Sequence, residues 1–322
     1  MCSMKRNEKS NPSLLHAAAS GTLADVTALV EHGADVNALD SYARSALMFA
    51  VSRGDMAIVK YLIEQGANVN ASDKDEGNSN TEGTALRRAV SEGHLDIVKL
   101  LLDQGADVDG RSPRGSSPLQ RAASNNHLVI AQLLLDHNAD PNILDENGAI
   151  KVTALSHAAF NVYLDMTVLL LQQGALPSPT DFIYAGSTRK SLPEDQIAVM
   201  RLLLAHGANV NAEDEYTDEY TDESGQKHSW TALQCVAASG WGDNHEVVKF
   251  LLDSGADVNA QSKDGGTALI YAAREGHFSV VQLLLDSGAN PAFSDNEGRT
   301  ALSVSVEHDR EDVRKLLLDY RK

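Results

Sequence analysis

Two guanidiniums, an imidazole and a phenol recur along the middle of the chain, at Arg88, Arg121, His157 and Tyr184. Arginine forks pair with carboxylates or phosphates through two parallel hydrogen bonds. Imidazole and phenol can carry a proton to or from a reacting group. Gathered in one pocket, the four would form an anion clamp beside an acid/base pair, with His157 and Tyr184 as the catalytic groups. Strung along a surface, they would form a binding face instead. Other chemistry has less to stand on. Neither the histidines nor Cys2 and Cys235 show zinc spacing, and "NHEVVKF" lacks the second histidine of a zincin helix. "KDGGTAL" and "SNTEGTAL" are turns rather than phosphate loops, and no Gly-x-Ser-x-Gly elbow occurs. No metal or cofactor is expected.

The whole composition narrows the partners. The chain has 322 residues, is 43% apolar and only 5% aromatic, so Leu, Val and Ala must fill the core. A net charge of −18 argues against nucleic acid, whose phosphates call for clustered Lys and Arg. Two cysteines suit a reducing compartment, and "MCSMKRNEKSNPS" lacks the apolar core of a secretory signal. No apolar run is long enough to span a bilayer. The expectation is a cytoplasmic, alternatively nuclear, monomer with no membrane contact.

The elements that carry the four residues are repeats. Helix-ending positions fall at Gly33, Gly66, Gly105, Asn138, Gly174, Gly207, Gly255 and Gly288, at spacings of 33, 39, 33, 36, 33, 48 and 33. Asparagine at 138 is informative, since after glycine it best tolerates the left-handed conformation a helix C′ position needs. A leucine stands nineteen residues before six of these sites, at Leu14, Leu47, Leu86, Leu119, Leu155 and Leu269. Thr-Ala precedes the leucine in five repeats, and Ser117-Pro118 is a variant. The hydroxyl suits an N-cap and proline suits N1. Second helices follow with apolar residues at i, i+3 and i+4, as in "LDIVKLLLDQGADV" and "FSVVQLLLDSGANP".

"TALRRAVSEGHLDIVKLLLDQGADVD" and "TALIYAAREGHFSVVQLLLDSGANP" resemble the ankyrin repeat family, over about residues 12 to 319 and some nine repeats. Alanine usually replaces the motif's proline, and its histidine is absent or shifted. The resemblance implies an all-α fold, an ankyrin-repeat solenoid of helix-turn-helix pairs with β-hairpin-like fingers. Residues 1–11 would be a polar tail, and 12–322 a single array.

Insertions interrupt the array near 73–83, 145–152, 187–195 and 212–229. Fingers face solvent and tolerate added length. The sixth repeat is degenerate: Phe182 takes the leucine slot, its finger is short, and "STRKSLPED" lengthens the link between its helices. The seventh finger carries the longest insertion. Residues 213–223 hold seven carboxylates and no Lys or Arg. That segment is either a disordered spacer or a docking finger anchored by Tyr216 and Tyr220.

The family resemblance also places two sets of side chains along the inner face. The first reads Phe49, Arg88, Arg121, His157, Tyr184, Cys235 and Tyr271. The second adds Arg53, Glu92, Asn125, Phe160, Asn161 and Arg274. With Arg87, Arg111 and Arg114, five arginines fall in the third and fourth repeats, which suits an acidic ligand. The alternative is that they pair with neighbouring acids and cover apolar stems. The function expected is a scaffold or adaptor that binds another protein or peptide. An enzyme or small-molecule pocket around Arg88, Arg121, His157 and Tyr184, closed by Trp241, is the competing expectation.

Overall fold

Six of the hydroxyl residues before the leucines cap helices. Ser45, Thr84, Ser117, Thr231, Thr267 and Thr300 each accept, on the side-chain oxygen, the backbone N–H three residues on. This satisfies a donor that the first turn would leave unpaired. In Ser117 and Thr231 the bond is reciprocal, because Gln120 and Gln234 return to the cap's own N–H.

The structure is a computed structural model that describes residues 11–74, 83–112, 115–145, 152–188, 191–216, 228–239 and 244–320. Among these residues are eighteen helices in nine pairs and one two-stranded sheet. The first four pairs are α1 (Asn11–Ser20) with α2 (Leu23–Glu31), α3 (Ala46–Arg53) with α4 (Met56–Glu64), α5 (Ala85–Ser91) with α6 (Leu95–Asp103), and α7 (Pro118–Ser124) with α8 (Leu128–Asp136). The fifth and sixth are α9 (Ala154–Phe160) with α10 (Leu164–Gln172), and α11 (Pro179–Ser187) with α12 (Pro193–Ala205). Strands β1 (Glu213–Tyr216) and β2 (His228–Thr231) precede α13 (Ala232–Ala238) and α14 (His245–Asp253). The last pairs are α15 (Ala268–Glu275) with α16 (Phe278–Asp286), and α17 (Ala301–Glu307) with α18 (Glu311–Asp319). The chain divides into two compact units, Met1–Ala154 and Leu155–Lys322. No helix among the described residues is long and apolar enough to cross a membrane.

Within each unit, first helices pack on first helices and second on second. α3 lies between α1 and α5, and α15 lies between α13 and α17. The motif leucines Leu14, Leu47, Leu86, Leu119, Leu155 and Leu269 are all buried. Each contributes roughly 1.5–3 kcal/mol of burial, but only against a neighbouring repeat. At Gly33, Gly66, Gly105 and Gly288 no atom lies within 4 Å of where a Cβ would stand. Glycine is there for its positive φ and not for space, and Asn138, at φ 64°, meets the same need.

The histidines after the inter-helix turns serve packing. His94 stands over Gly54 of the preceding repeat, where a Cβ would come within 2.8 Å of Cε1, and His127 covers Gly93 likewise. His277 Nε2 meets the Ser239 carbonyl at 2.9 Å. His137 and His206 turn Nδ1 onto the carbonyl four residues back, at 2.8 Å each.

Fingers close as short antiparallel bridges, Leu39 with Ser45, Ser72 with Thr84 and Ser294 with Thr300. An asparagine at the base of the finger then joins consecutive repeats. Asn37 donates to the Gly66 carbonyl at 3.0 Å and accepts the Asn68 N–H at 2.7 Å. Asn70 does the same with Gly105 and Asp107, Asn211 with Gly255 and Asp257, and Asn259 with Gly288 and Asn290. Asp109 occupies this place in the third repeat. It accepts the Asp140 N–H at 3.2 Å but has no hydrogen to give. Burial, with Asp140 and Asp107 adding negative charge, pushes its pKa above the usual aspartate value, against the Asp140 N–H and Arg111.

Asp109→Asn should therefore restore the missing donor toward the Asn138 carbonyl and raise stability by about 1 kcal/mol, read by urea unfolding at pH 7. The sign also fixes the pH dependence. A carboxyl whose folded-state pKa is raised imposes its full penalty above that value, and the penalty fades as pH falls through it. The gain from the substitution should accordingly shrink on acidification.

Candidate functional site

The first set of inner positions falls one turn into each first helix, and the helices treat it unevenly. Phe49, Arg88, Arg121, His157 and Tyr184 are half-buried, whereas Cys235 and Tyr271 are closed off, at 5% and 2% exposure. Helix α11 begins earlier than its leucine slot suggests. Ser178 is the N-cap, boxed with Asp181, and proline occupies N1. Burial nevertheless follows the register of the other repeats, with Phe182 buried in the leucine slot and Tyr184 half-buried two residues on. Asp181 also takes a hydrogen bond from Ser156 Oγ at 2.5 Å, tying α11 to α9.

Arg88 does not present an open fork. Its Nη2 is ion-paired and hydrogen-bonded to Asp73 Oδ2, with the arginine side chain 11% exposed and the aspartate side chain 0%. Asp73 also accepts the Gly83 N–H at 2.8 Å and gives its own N–H to the Gly83 carbonyl at 3.2 Å. These bonds hold together the two ends of the inserted third finger, whose residues 75–82 lie outside the described residues. Arg87 is buried and donates to Ser116 Oγ at 2.7 Å. Two other fingers use the same pairing more locally. Asp40 accepts from the N–H groups of Tyr42 and Arg44 and from Arg44 Nε. Asp295 treats Glu297 and Arg299 identically. For Arg88 the acidic-partner alternative is the one observed, whereas the bond of Arg87 is to a serine hydroxyl. Arg111 is exposed, Arg121 is half-buried on α7, and Arg114 lies outside the described residues.

The second set includes braces between repeats. Arg53 Nη1 donates to the Gly21 carbonyl at 2.6 Å, with Asp55 at 3.4 Å, and Asn125 donates to the Ser91 carbonyl at 3.1 Å. Phe49 lies under the Arg44 guanidinium at 4.8 Å, a cation–π contact. In the second unit Phe160 meets Tyr184 edge-on, with centroids 5.3 Å apart.

Tyr271 belongs to a locked cluster that sequence reading did not assemble. Its hydroxyl donates to Asp264 Oδ1 at 2.8 Å and meets Ser262 Oγ at 2.8 Å. Burial pushes the phenol far above its ordinary pKa, and the Asp264 charge adds to this. Trp230 lies against the ring at 4.8 Å, and the Arg274 guanidinium is 5.6 Å from its centroid. Gly266 leaves room for the hydroxyl, because a Cβ there would stand 2.3 Å from it. Tyr271 is thus a core residue of the eighth repeat and its ring is not offered to a ligand. The available signal was "SKDGGTAL", where two glycines adjoin an aspartate.

Trp230 leads to the acidic insertion. β1 and β2 pair antiparallel, Asp214 opposite Trp230 and Tyr216 opposite His228. Ser229 Oγ donates to Glu213 Oε2 at 2.9 Å. β1 lies beside α11 and β2 beside α13. The stem of the seventh finger is therefore strand; Tyr220 and Trp241 lie outside the described residues. Of the four residues proposed for a catalytic pocket, Arg88 and Arg121 belong to the first unit, His157 and Tyr184 to the second. Among the described residues no three His, Cys, Asp or Glu side chains gather as a metal site.

A family model described as ankyrin repeats in three copies matches residues 2–73, 86–181 and 233–322, and a second, described as ankyrin repeats in many copies, matches 54–102. The chain is 34% identical over 131 residues to ankyrin repeat and SOCS box protein 6 of Homo sapiens, covering 39% of this chain and 28% of that protein. It is 27% identical over 158 residues to ankyrin repeat protein nuc-2 of Neurospora crassa, covering 42% of this chain and 14% of that protein. The aligned stretches span less than a third of the length of these curated relatives.

Reversing Arg88 would set a carboxylate beside buried Asp73. Arg88→Glu should cost about 3–5 kcal/mol, seen as a lowered denaturation midpoint. Asp73→Asn combined with Arg88→Gln should recover much of that loss; an Arg88→Glu protein as stable as wild type would show that the clasp contributes nothing.

Proposed function

Because the chain belongs to the ankyrin-repeat family, whose members generally mediate protein–protein interaction, we propose that it is a binding module. It engages a partner protein through its fingers and the half-buried side chains of its first helices. The observation that carries this reading is preorganisation. Finger ends are fixed by the Asp40–Arg44, Asp73–Arg88 and Asp295–Arg299 pairs, and inner-face side chains such as Arg53 and Asn125 are braced on the preceding repeat. Surfaces ordered before contact lose little entropy on binding. An anion at Arg88 would have to displace Asp73, so the acidic-ligand reading does not extend to that arginine. The setting proposed is reducing and cytoplasmic, in keeping with two cysteines in 322 residues.

The test is affinity capture from a lysate of the source cells, read by mass spectrometry, with wild type and a Phe49→Ala/Arg121→Glu protein as baits. A partner held by wild type and weakened about tenfold or more by the double substitution, with equal thermal midpoints for both baits, is the expected result. Identical captured sets would rule out use of this face.

A further inference from the structure

Four finger-base asparagines join consecutive repeats by a matched pair of hydrogen bonds, and the joint at Asp109 departs from them in both. Asn37, Asn70, Asn211 and Asn259 each accept the next repeat's N–H on one oxygen, at 2.7 or 2.8 Å. Each also gives an Nδ2–H to a carbonyl two residues before that N–H, at between 3.0 and 3.2 Å. At Asp109 the donated bond is missing and the accepted one is altered as well. The Asp140 N–H lies 3.2 Å from Oδ1 and 3.3 Å from Oδ2, shared by both oxygens and farther off than at any of the four asparagines. An ionised carboxylate has only acceptors, so neither oxygen can bond the Asn138 carbonyl. The first-helix side of the same joint is intact. Asn125 of α7 donates to the Ser91 carbonyl of α5 at 3.1 Å, and His127 covers Gly93. The weakness is confined to the finger-base edge.

We propose that the joint between the third and fourth repeats is a proton-operated latch, half-made while Asp109 is ionised and complete when it is protonated. On taking a proton from solvent, Asp109 gains an O–H that donates to the Asn138 carbonyl, while its other oxygen keeps the Asp140 N–H. It then matches the asparagines bond for bond. The charged groups that face it favour this. Asp107, on its own segment, accepts the Asp109 N–H at 3.1 Å; Asp140 faces it from the next repeat, and Arg111 opposes the two. Burial is the main cause of its raised pKa, and the like charges add to it. Asp109 therefore takes its proton at a higher pH than an ordinary aspartate. His137, in the same turn as Asn138, is engaged with the Leu133 carbonyl at 2.8 Å. The sign follows from linkage: with the folded-state pKa raised, the latch is open above that pKa and closes as pH falls through it. The finger that leads from Asp109 into α7 is then held to the fourth repeat as firmly as its neighbours are held to theirs. The latch does not depend on the binding-module reading.

The experiment follows residue-resolved amide hydrogen exchange of the full-length protein across a pH series from neutral to mildly acidic, with each rate divided by the intrinsic rate at that pH. The Asp140 N–H is compared with those of Asn68 and Asp107, which asparagines hold at the two preceding joints. Near neutrality the Asp140 N–H should exchange about fivefold faster than that of Asp107, and the two should converge as pH falls. Asp109→Asn should bring them level at every pH, and Asp109→Ala should leave Asp140 fast at every pH. Asp107→Asn keeps an acceptor for the Asp109 N–H but removes a like charge, so it should move the transition to lower pH. Equal protection of Asp140 and Asp107 at neutral pH, or a wild-type difference that does not change with pH, would overturn the latch. A pH response that survives in Asp109→Asn would overturn it too, assigning the titration to His137 or another carboxylate. If Asp109→Ala does not fold, the Asp109→Asn and Asp107→Asn proteins still decide.

Discussion

No helix pair in this chain can bury its own apolar stripe. With so few aromatics, the core is built of small and branched aliphatics, and each repeat completes it only by lying against the next. Everything else follows from keeping consecutive repeats in register. The finger-base asparagine does this with two hydrogen bonds of opposite sense, one given and one received, so it cannot be satisfied by a sliding neighbour. The positive-φ residues after second helices, such as Gly33, Gly66, Gly207 and Gly255, turn the chain toward the finger whose base carries the asparagine. Asp109 shows the dependence by default, since it keeps one bond and loses the other.

The stacking constraint also accounts for the two irregular repeats together. Shortening the sixth finger leaves the flank of α11 without its own cover. The seventh finger, lengthened by the acidic insertion, returns as a strand pair whose first strand lies along that helix. Trp230 roots the pair on Tyr271 of the following repeat. The loss and the gain sit side by side in sequence and in space.

Much of this was legible in advance because it is periodic. Caps, positive-φ sites, leucine slots and packing histidines recur at fixed offsets, and each has one physical reason that applies repeat after repeat. Even the degenerate repeat kept its register, with Phe182 in the leucine slot. Side chains whose partners sit in a finger were not legible. Arg88 looks available from its helical position alone, but its carboxylate lies fifteen residues earlier in a segment of irregular length. Tyr271 looked like an inner-face phenol because nothing in a helical pattern reveals that Ser262 and Asp264 turn back toward it. Periodicity predicts what each repeat shares with the others, and these contacts are not shared.

Asp73 and Gly83 exchange hydrogen bonds across their backbone and side chain, and Arg88 pins the aspartate to its own helix. The two ends of the third finger are thus stapled independently of what lies between them. Lengthening the span adds only a slowly growing closure entropy, about 0.6 kcal/mol per doubling. The position therefore works as a splice site: a foreign epitope, tag or recognition loop placed between the staples would leave the helices on either side unaware of its length.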